Sequence, residues 1–144
     1  MIPSDHFVRF YNEVFKFLDS QGDKALESYY RLVSEQQEMH CLELFRNQGP
    51  AGMKAYWDHI AYEENCDMTN TAYPDRFELV MHRCPSLSKV LDNDAQPFER
   101  YCEHCPGWVV PLLRKAGFHC EYDIMDPTVP RCRMTAYPMK DDES

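Results

Sequence analysis

The chain has 144 residues, a formal net charge of −9 and seven cysteines. Its length suits one domain that folds around an apolar core without a metal or disulfide, and its acidity disfavours nucleic acid and anionic membranes as partners. The odd number of cysteines, an N-terminus unlike a signal peptide and the lack of an apolar run near the ~20 residues of a membrane span favour a cytoplasmic protein.

The N-terminal half has the periodicity of three helices, in a helical part that covers about residues 5–66. The first helix begins near Ser4, and its apolar residues share one face. They are Phe7, Phe10, Tyr11, Val14 and Leu18. A second pattern ends at Gly49, and Pro50 suits the first turn of a third helix.

Three polar residues interrupt the apolar stripes of the second and third helices, namely Gln37, His40 and Glu64. A polar group on a core face must find a partner or lose roughly 1–3 kcal/mol. Either these side chains bond one another and nearby backbone, or they line a polar pocket that faces the cysteines. On the second interpretation, His40 and Glu64 are candidate substrate-binding residues.

The C-terminal half, about residues 76–138, has the pattern of a mixed helix and strand region. Residues 67–74 before it have the composition of a loop. Alternating apolar and polar residues predict strands at 77–84, 118–124 and 131–137, and helical segments are predicted at 86–91, at 97–101 and after Cys105. We therefore predict one α+β domain over residues 1–144, with N-terminal helices packed on a small antiparallel sheet.

The segment 100–108 concentrates groups that carry chemistry. Its candidates are Cys102, Glu103, His104 and Cys105. The Pro-Gly pair that follows favours a helix start near Cys105, which places thiols at a helix N-terminus. The positive end of the helix dipole favours the thiolate, the nucleophilic and metal-binding form. Cys84 and Cys132 lie in strand-like segments on either side, and our interpretation requires that they converge on the same place.

Two kinds of chemistry suit such a thiol cluster. Cys102-x-x-Cys105 has the spacing of half a zinc or iron–sulfur site, to which Cys84 and Cys132 would add the other thiolates. Alternatively, Cys102 is a nucleophile and His104 or Glu103 moves its proton. A thioredoxin-like redox pair fits less well, because the segment before the motif has a helical rather than a strand pattern.

The order of these features resembles the family of L-2-amino-thiazoline-4-carboxylic acid hydrolases over about residues 76–138. A strand ends in His82-Arg83-Cys84-Pro85, the Cys102 motif precedes a helix, and a late strand carries Cys132. The resemblance implies a helix-rich α+β fold with Arg-Cys-Pro, Cys-x-x-Asp and Cys-Asp-Phe motifs. Two acidic positions of that pattern differ here, because Cys105 replaces the first and Arg133 the second.

The activity that the resemblance implies is hydrolytic opening of a cyclic isothiourea to N-carbamoyl-cysteine. Cys102 would then act as nucleophile beside Cys84 and Cys132. Proton carriers would come from Glu103, His104 or Glu64, and the substrate carboxylate would bind Arg83 or Arg131. The alternatives are a protein that binds zinc or an iron–sulfur cluster through its cysteines, and a small-molecule-binding or sensor domain without turnover.

Overall fold

The computed structural model describes residues 3–123 and 126–140, with side chains from residue 6 onward. Over these residues the chain has the predicted α+β fold, with five helices and a four-stranded antiparallel sheet. The helices are α1 (Pro3–Ser20), α2 (Asp23–Gln48), α3 (Pro50–Glu64), α4 (Pro85–Asp92) and α5 (His104–Lys115). The strands are β1 (Asp67–Ala72), β2 (Phe77–Arg83), β3 (Phe118–Asp123) and β4 (Cys132–Pro138), and a 3₁₀ turn (Tyr101–Glu103) precedes α5.

The sheet has the strand order β1-β2-β4-β3 and packs one face against the helices. Leu79 pairs with Met134 across β2 and β4, and both are buried among residues of α2, α3 and α5. The pair Met81 and Cys132 continues the same face toward the end of the ladder, since side chains two residues apart share a face. This register brings Cys132 to the edge of the core.

Two local predictions are wrong. Residues 67–74 were expected to be a loop, but residues 67–72 form β1, an edge strand paired with β2. Its polar sequence lacks an apolar alternation, and buried Asn70 is held by a hydrogen bond to Asp58 on α3 at 3.0 Å. Residues 97–101 are not a helix but an extended stretch and a turn. The strand predicted at 118–124 is present as β3 over residues 118–123, and Ile124 lies outside the described residues.

The face of α1 that packs into the protein overlaps only partly with the predicted one, since Tyr11 and Leu18 pack against buried residues but Phe7 and Phe10 do not. Val8, Asn12 and Phe15 are buried, whereas Phe7 and Phe10 are 63% and 64% exposed. Apolar residues cover more than half the circumference of this helix, so periodicity alone allows more than one buried face. Asn12 is fully buried on the observed face, and its side chain forms hydrogen bonds there.

A second cluster of buried residues joins α1, α2, α4 and the 3₁₀ turn. Its members are Val8, Phe15, Leu26, Tyr30, Leu87, Val90, Phe98 and Tyr101, and we call it the site-bearing core. Helix α5 approaches α2 closely at Gly107, where a Cβ atom would stand 2.7 Å from the Tyr30 ring. Within the described residues, every helix is too short or too polar to cross a membrane.

Candidate active site

Four cysteines from separate elements line one small cavity, which we call the cysteine cavity. They are Cys84, Cys102, Cys105 and Cys132, and they are joined there by Leu87, Tyr101, His104, Val129 and Arg131. The cavity volume is about 20 Å³, which is room for about one water molecule. The structure thus brings together the motif cysteines that the sequence interpretation requires to meet.

Local structure places each of these thiols. Cys84 is the N-cap residue of α4, where its Sγ accepts a hydrogen bond from the Leu87 backbone N–H at 3.4 Å. Its own N–H donates to the carbonyl of Pro130 at 2.7 Å, which ties the start of α4 to the segment before β4. Cys102 lies in the 3₁₀ turn and Cys105 in the first turn of α5. Cys102 and Cys105 therefore line the cavity together with Cys132, which lies at the start of β4.

The thiols of the cysteine cavity are protonated at neutral pH. Burial raises the pKa of Cys84 to about 11 and the pKa values of Cys102, Cys105 and Cys132 to about 12. The neighbouring thiols add to the increase at Cys84, Cys102 and Cys132, since each would repel another's charge. The expectation that the helix N-terminus favours thiolates is wrong, because the cost of desolvating the charge is larger.

The cysteines do not form a coordination shell in this structure. Among residues 3–123 and 126–140, no group of three or more His, Cys, Asp or Glu side chains is arranged to hold a metal ion. The four thiols line the cavity, but they do not converge on one point as zinc or cluster ligands do. The geometry therefore gives no support to the interpretation that Cys84, Cys102, Cys105 and Cys132 bind a metal.

His104 is buried in the wall of the cavity and is held in one orientation. Its ring lies against Phe15, Tyr101 and Trp108, with centroid distances of 5.2, 4.9 and 4.7 Å. Nδ1 is 2.5 Å from the carbonyl oxygen of Tyr101, and Nε2 is 3.5 Å from the Sγ of Cys105. Because a carbonyl only accepts, Nδ1 carries the proton and Nε2 is the acceptor. Burial lowers the pKa of His104 to about 4.

A larger opening, the helical cleft, lies on another side of His104. Its volume is about 420 Å³, and its apolar walls come from α1, α3, α4 and α5. The polar groups in its lining are Gln37, Glu64, Ser86, Lys89 and His104. Of the three polar residues that interrupt the helical stripes, Gln37 and Glu64 therefore lie in a pocket that shares His104 with the cysteine cavity.

The remaining predicted site residues are dispersed. Glu103 is exposed and pairs with Arg100 at 2.7 Å, while Arg83 is exposed and pairs with Asp92 at 2.9 Å. His40 is exposed and lines a separate shallow groove on α2. Arg131 alone of the two predicted arginines lines the cysteine cavity.

Sequence reasoning missed two hydroxyl groups of the site. Tyr101 is fully buried beside the cysteine cavity, and its hydroxyl forms a hydrogen bond with Ser86, which lines the helical cleft. The sequence signal for both residues was their position next to the cysteine motifs, since Ser86 follows the Cys84-Pro85 pair and Tyr101 precedes Cys102. A serine and a tyrosine beside cysteines are too common to be singled out without tertiary contacts.

Comparison with models of known protein families gave no match to this chain, and no curated protein matches it significantly. The function is therefore argued from the geometry of the two openings and from the chemistry of the residues that line them.

Proposed function

We propose that this chain is a thiol-dependent hydrolase that opens a small cyclic compound with adjacent C–N and C–S bonds. The observation that carries the proposal is the meeting of Cys84, Cys102 and Cys132 at one cavity, although up to 48 positions separate them in the chain. The sequence resemblance to L-2-amino-thiazoline-4-carboxylic acid hydrolases rests on these same three cysteines. Their presence at one cavity is what that resemblance requires, and it supports the proposal.

The two openings suit different parts of the reaction. The cysteine cavity, at about 20 Å³, is too small for an organic substrate. The helical cleft, at about 420 Å³, falls within the roughly 300–1,000 Å³ of typical small-molecule sites. We assign substrate binding to the helical cleft and chemistry to the boundary at His104, which lines both openings.

The charged groups of these linings match a substrate with a carboxylate and an amidine. Arg131 at the cysteine cavity and Lys89 in the helical cleft bring positive charge that attracts a carboxylate. Glu64 in the cleft brings a negative charge that suits a protonated amidine. Arg83, which pairs with Asp92 on the surface, is the weaker candidate for binding the carboxylate.

The proposed reaction has two stages. A cavity thiol adds to the ring carbon that lies between sulfur and nitrogen, the ring C–S bond breaks, and the departing sulfur takes up a proton. Water then adds to the same carbon, the bond from enzyme sulfur to carbon breaks, and the thiol is restored. The net change is addition of one water, which yields a free thiol and a carbamoyl group.

A second candidate is a small-molecule-binding domain without turnover. The protonated thiols and the neutral His104 favour it, because no nucleophile is activated before ligand arrives. On this reading, the helical cleft binds the same class of ligand and the cysteines are structural.

The test is release of free thiol from 2-amino-thiazoline-4-carboxylate and related 2-amino-thiazolines, measured over many turnovers per protein chain. Replacement of the reactive cavity cysteine by alanine should reduce the rate about 100-fold or more. Cys102→Ala and Cys105→Ala are compared with Cys120→Ala. This is a matched control because Cys120 packs against the buried cluster between the sheet and α2, α3 and α5, which includes Phe45, Trp57, Phe77, Leu79 and Met134 and which we call the sheet core. Equal rates in all variants, or no turnover by wild type across the panel, would contradict the proposal. Ligand binding without turnover would favour the second candidate.

A further inference from the structure

We infer that the thiol that reacts is Cys105, with His104 as its general base, and not Cys102. This inference rests on the proposed function for its catalytic meaning, but the pairing of thiol and imidazole is a property of the fold alone. It also gives a role to the residue that replaces the aspartate of the Cys-x-x-Asp motif in the family that the sequence resembles.

The geometry has the three parts of an activated nucleophile. Cys105 Sγ lies 3.5 Å from Nε2 of His104, within the range of a hydrogen bond from a thiol. His104 Nδ1 donates to the Tyr101 carbonyl at 2.5 Å, which fixes the tautomer that leaves Nε2 free to accept the thiol proton. Nucleophile, base and orienting group are thus in contact before any substrate binds.

The other cavity thiols lack this partner. Cys84 uses its sulfur as an acceptor at the N-terminus of α4. The groups that influence Cys102 and Cys132 electrostatically are the neighbouring thiols and the carboxylates of Asp126 and Asp123. Because a protonated thiol is a poor nucleophile, the thiol with a base in contact has the advantage.

The surroundings keep both members of the pair uncharged. The titratable groups facing them from the other elements are thiols and phenols, namely Cys84, Cys102, Cys132, Tyr30, Tyr101 and Tyr122. Burial raises the pKa of every one of these groups, so they are neutral near pH 7. The charged residues of the linings are Arg131 at the cavity and Glu64 and Lys89 in the cleft.

The proton therefore moves during the reaction rather than before it. As Cys105 Sγ bonds to the ring carbon, its proton passes to Nε2 of His104, and the same proton then passes to the departing ring sulfur. In the second stage water gives one proton to Nε2 as its oxygen bonds to the carbon, and its other proton passes to the amidine nitrogen as the carbonyl forms. The proton on Nε2 returns to Cys105 Sγ when the carbon–sulfur bond breaks, so His104 ends each stage neutral.

A neutral base beside a protonated thiol has a distinctive pH dependence. A thiol without a base reacts as its thiolate, whose fraction rises about tenfold per pH unit below the thiol pKa. His104, with its pKa lowered to about 4, is unprotonated and able to accept a proton throughout the neutral range. Attack in which the Cys105 proton passes to His104 as the sulfur–carbon bond forms should depend little on pH, whereas attack by the free thiolate of either cysteine should rise about tenfold per pH unit.

The experiment is alkylation of the folded protein by iodoacetamide, with the rate at each cysteine read by peptide mass spectrometry between about pH 5 and 8. Iodoacetamide is larger than the cavity and enters only when the cavity opens, and because Cys102 and Cys105 line the same cavity, their rates are compared as a ratio at each pH. We expect a nearly constant rate at Cys105 and a tenfold rise per pH unit at Cys102. His104→Phe should give Cys105 the steep dependence, whereas His59→Phe, at an exposed position on α3, should change nothing. A steep rise at Cys105 in wild type, or a flat rate at Cys102, would overturn the assignment.

The wild-type rates alone decide the outcome if His104→Phe does not fold. The alkylation needs no substrate, so it separates this inference from the proposed function. An alkylation rate at Cys105 that does not change with pH, without turnover of thiazolines, supports the thiol and imidazole pair and contradicts the proposed hydrolase activity. Turnover that survives in Cys105→Ala but is lost in Cys102→Ala supports the hydrolase and overturns the choice of Cys105.

Discussion

The two buried clusters of this protein, the sheet core and the site-bearing core, are similar in size but differ in composition. The sheet core is apolar throughout, and Phe45, Trp57 and Phe77 stack in it with ring centroids 5.3 and 5.4 Å apart. The site-bearing core includes two tyrosines and surrounds the buried polar side chains of Asn12 and His104. Its contacts therefore include directional hydrogen bonds as well as apolar burial.

This difference shows how the fold separates stability from positioning. Apolar burial is non-directional, so the sheet core holds helices and sheet together without specifying a particular orientation of any polar group. Buried polar groups must be hydrogen-bonded, and those bonds hold the 3₁₀ turn, His104 and the cysteine cavity in place. We expect mutations in the two clusters to separate these effects.

The largest expected effect is on the sheet core. Phe77→Ala removes a fully buried ring from a tight stack and should lower the free energy of unfolding by about 3–5 kcal/mol. Urea denaturation measures the change. The matched control is Phe7→Ala, whose side chain is largely exposed and should cost at most about 0.5 kcal/mol. Similar losses in both variants would show that the stack is not a major source of stability.

Acid should weaken the site-bearing core through His104. The imidazole has an ordinary pKa of 6.5 in the unfolded chain but about 4 when buried, so the unfolded state binds the proton more readily. The contribution is intact above about pH 6.5, and by pH 4 the loss should reach about 3 kcal/mol. Unfolding measured against pH in wild type and His104→Gln gives the difference. Parallel curves for the two proteins would contradict a buried, neutral imidazole.

Asn12→Ala should have a somewhat smaller effect that also disturbs the site. The Asn12 side chain donates to the carbonyls of Ala95 and Gln96 and accepts from the N–H of Phe98 at 2.8 Å. Its loss leaves buried backbone groups without partners, and we expect a cost of about 2 kcal/mol. Arg9→Ala, exposed on the same helix, is the control. Hydrogen exchange at residues 95–103 should increase in Asn12→Ala only.

The smallest expected effect concerns the surface of the site-bearing core. Arg100 pairs with Asp19, Asp23 and Glu103 at 2.9, 3.0 and 2.7 Å, and these pairs are partly exposed. Arg100→Ala should cost at most about 1 kcal/mol, and the cost should shrink in high salt because exposed pairs are screened. Thermal unfolding at low and high salt checks this. A loss that does not respond to salt would indicate that Arg100 stabilises through packing instead.

Local patterns in the sequence determined most elements of this fold. The helices at 23–48 and 50–64 and the strands at 77–83, 118–123 and 132–138 follow from periodicity and from Gly and Pro boundaries, which act over a few residues. Such patterns failed where the outcome depends on distant packing. The polar strand β1 exists because β2 and α3 cover it, and the buried face of α1 was decided by its partners.

The site divides in the same way. By itself the sequence identified the candidate groups, since the three motif cysteines and His104 are residue types that commonly carry chemistry. Only the tertiary structure decided their state, because ionisation depends on desolvation by residues far away in the chain. Burial keeps the thiols neutral, the fold leaves Glu103 and Arg83 at the surface, and His104 and Cys105 are in contact at the start of α5.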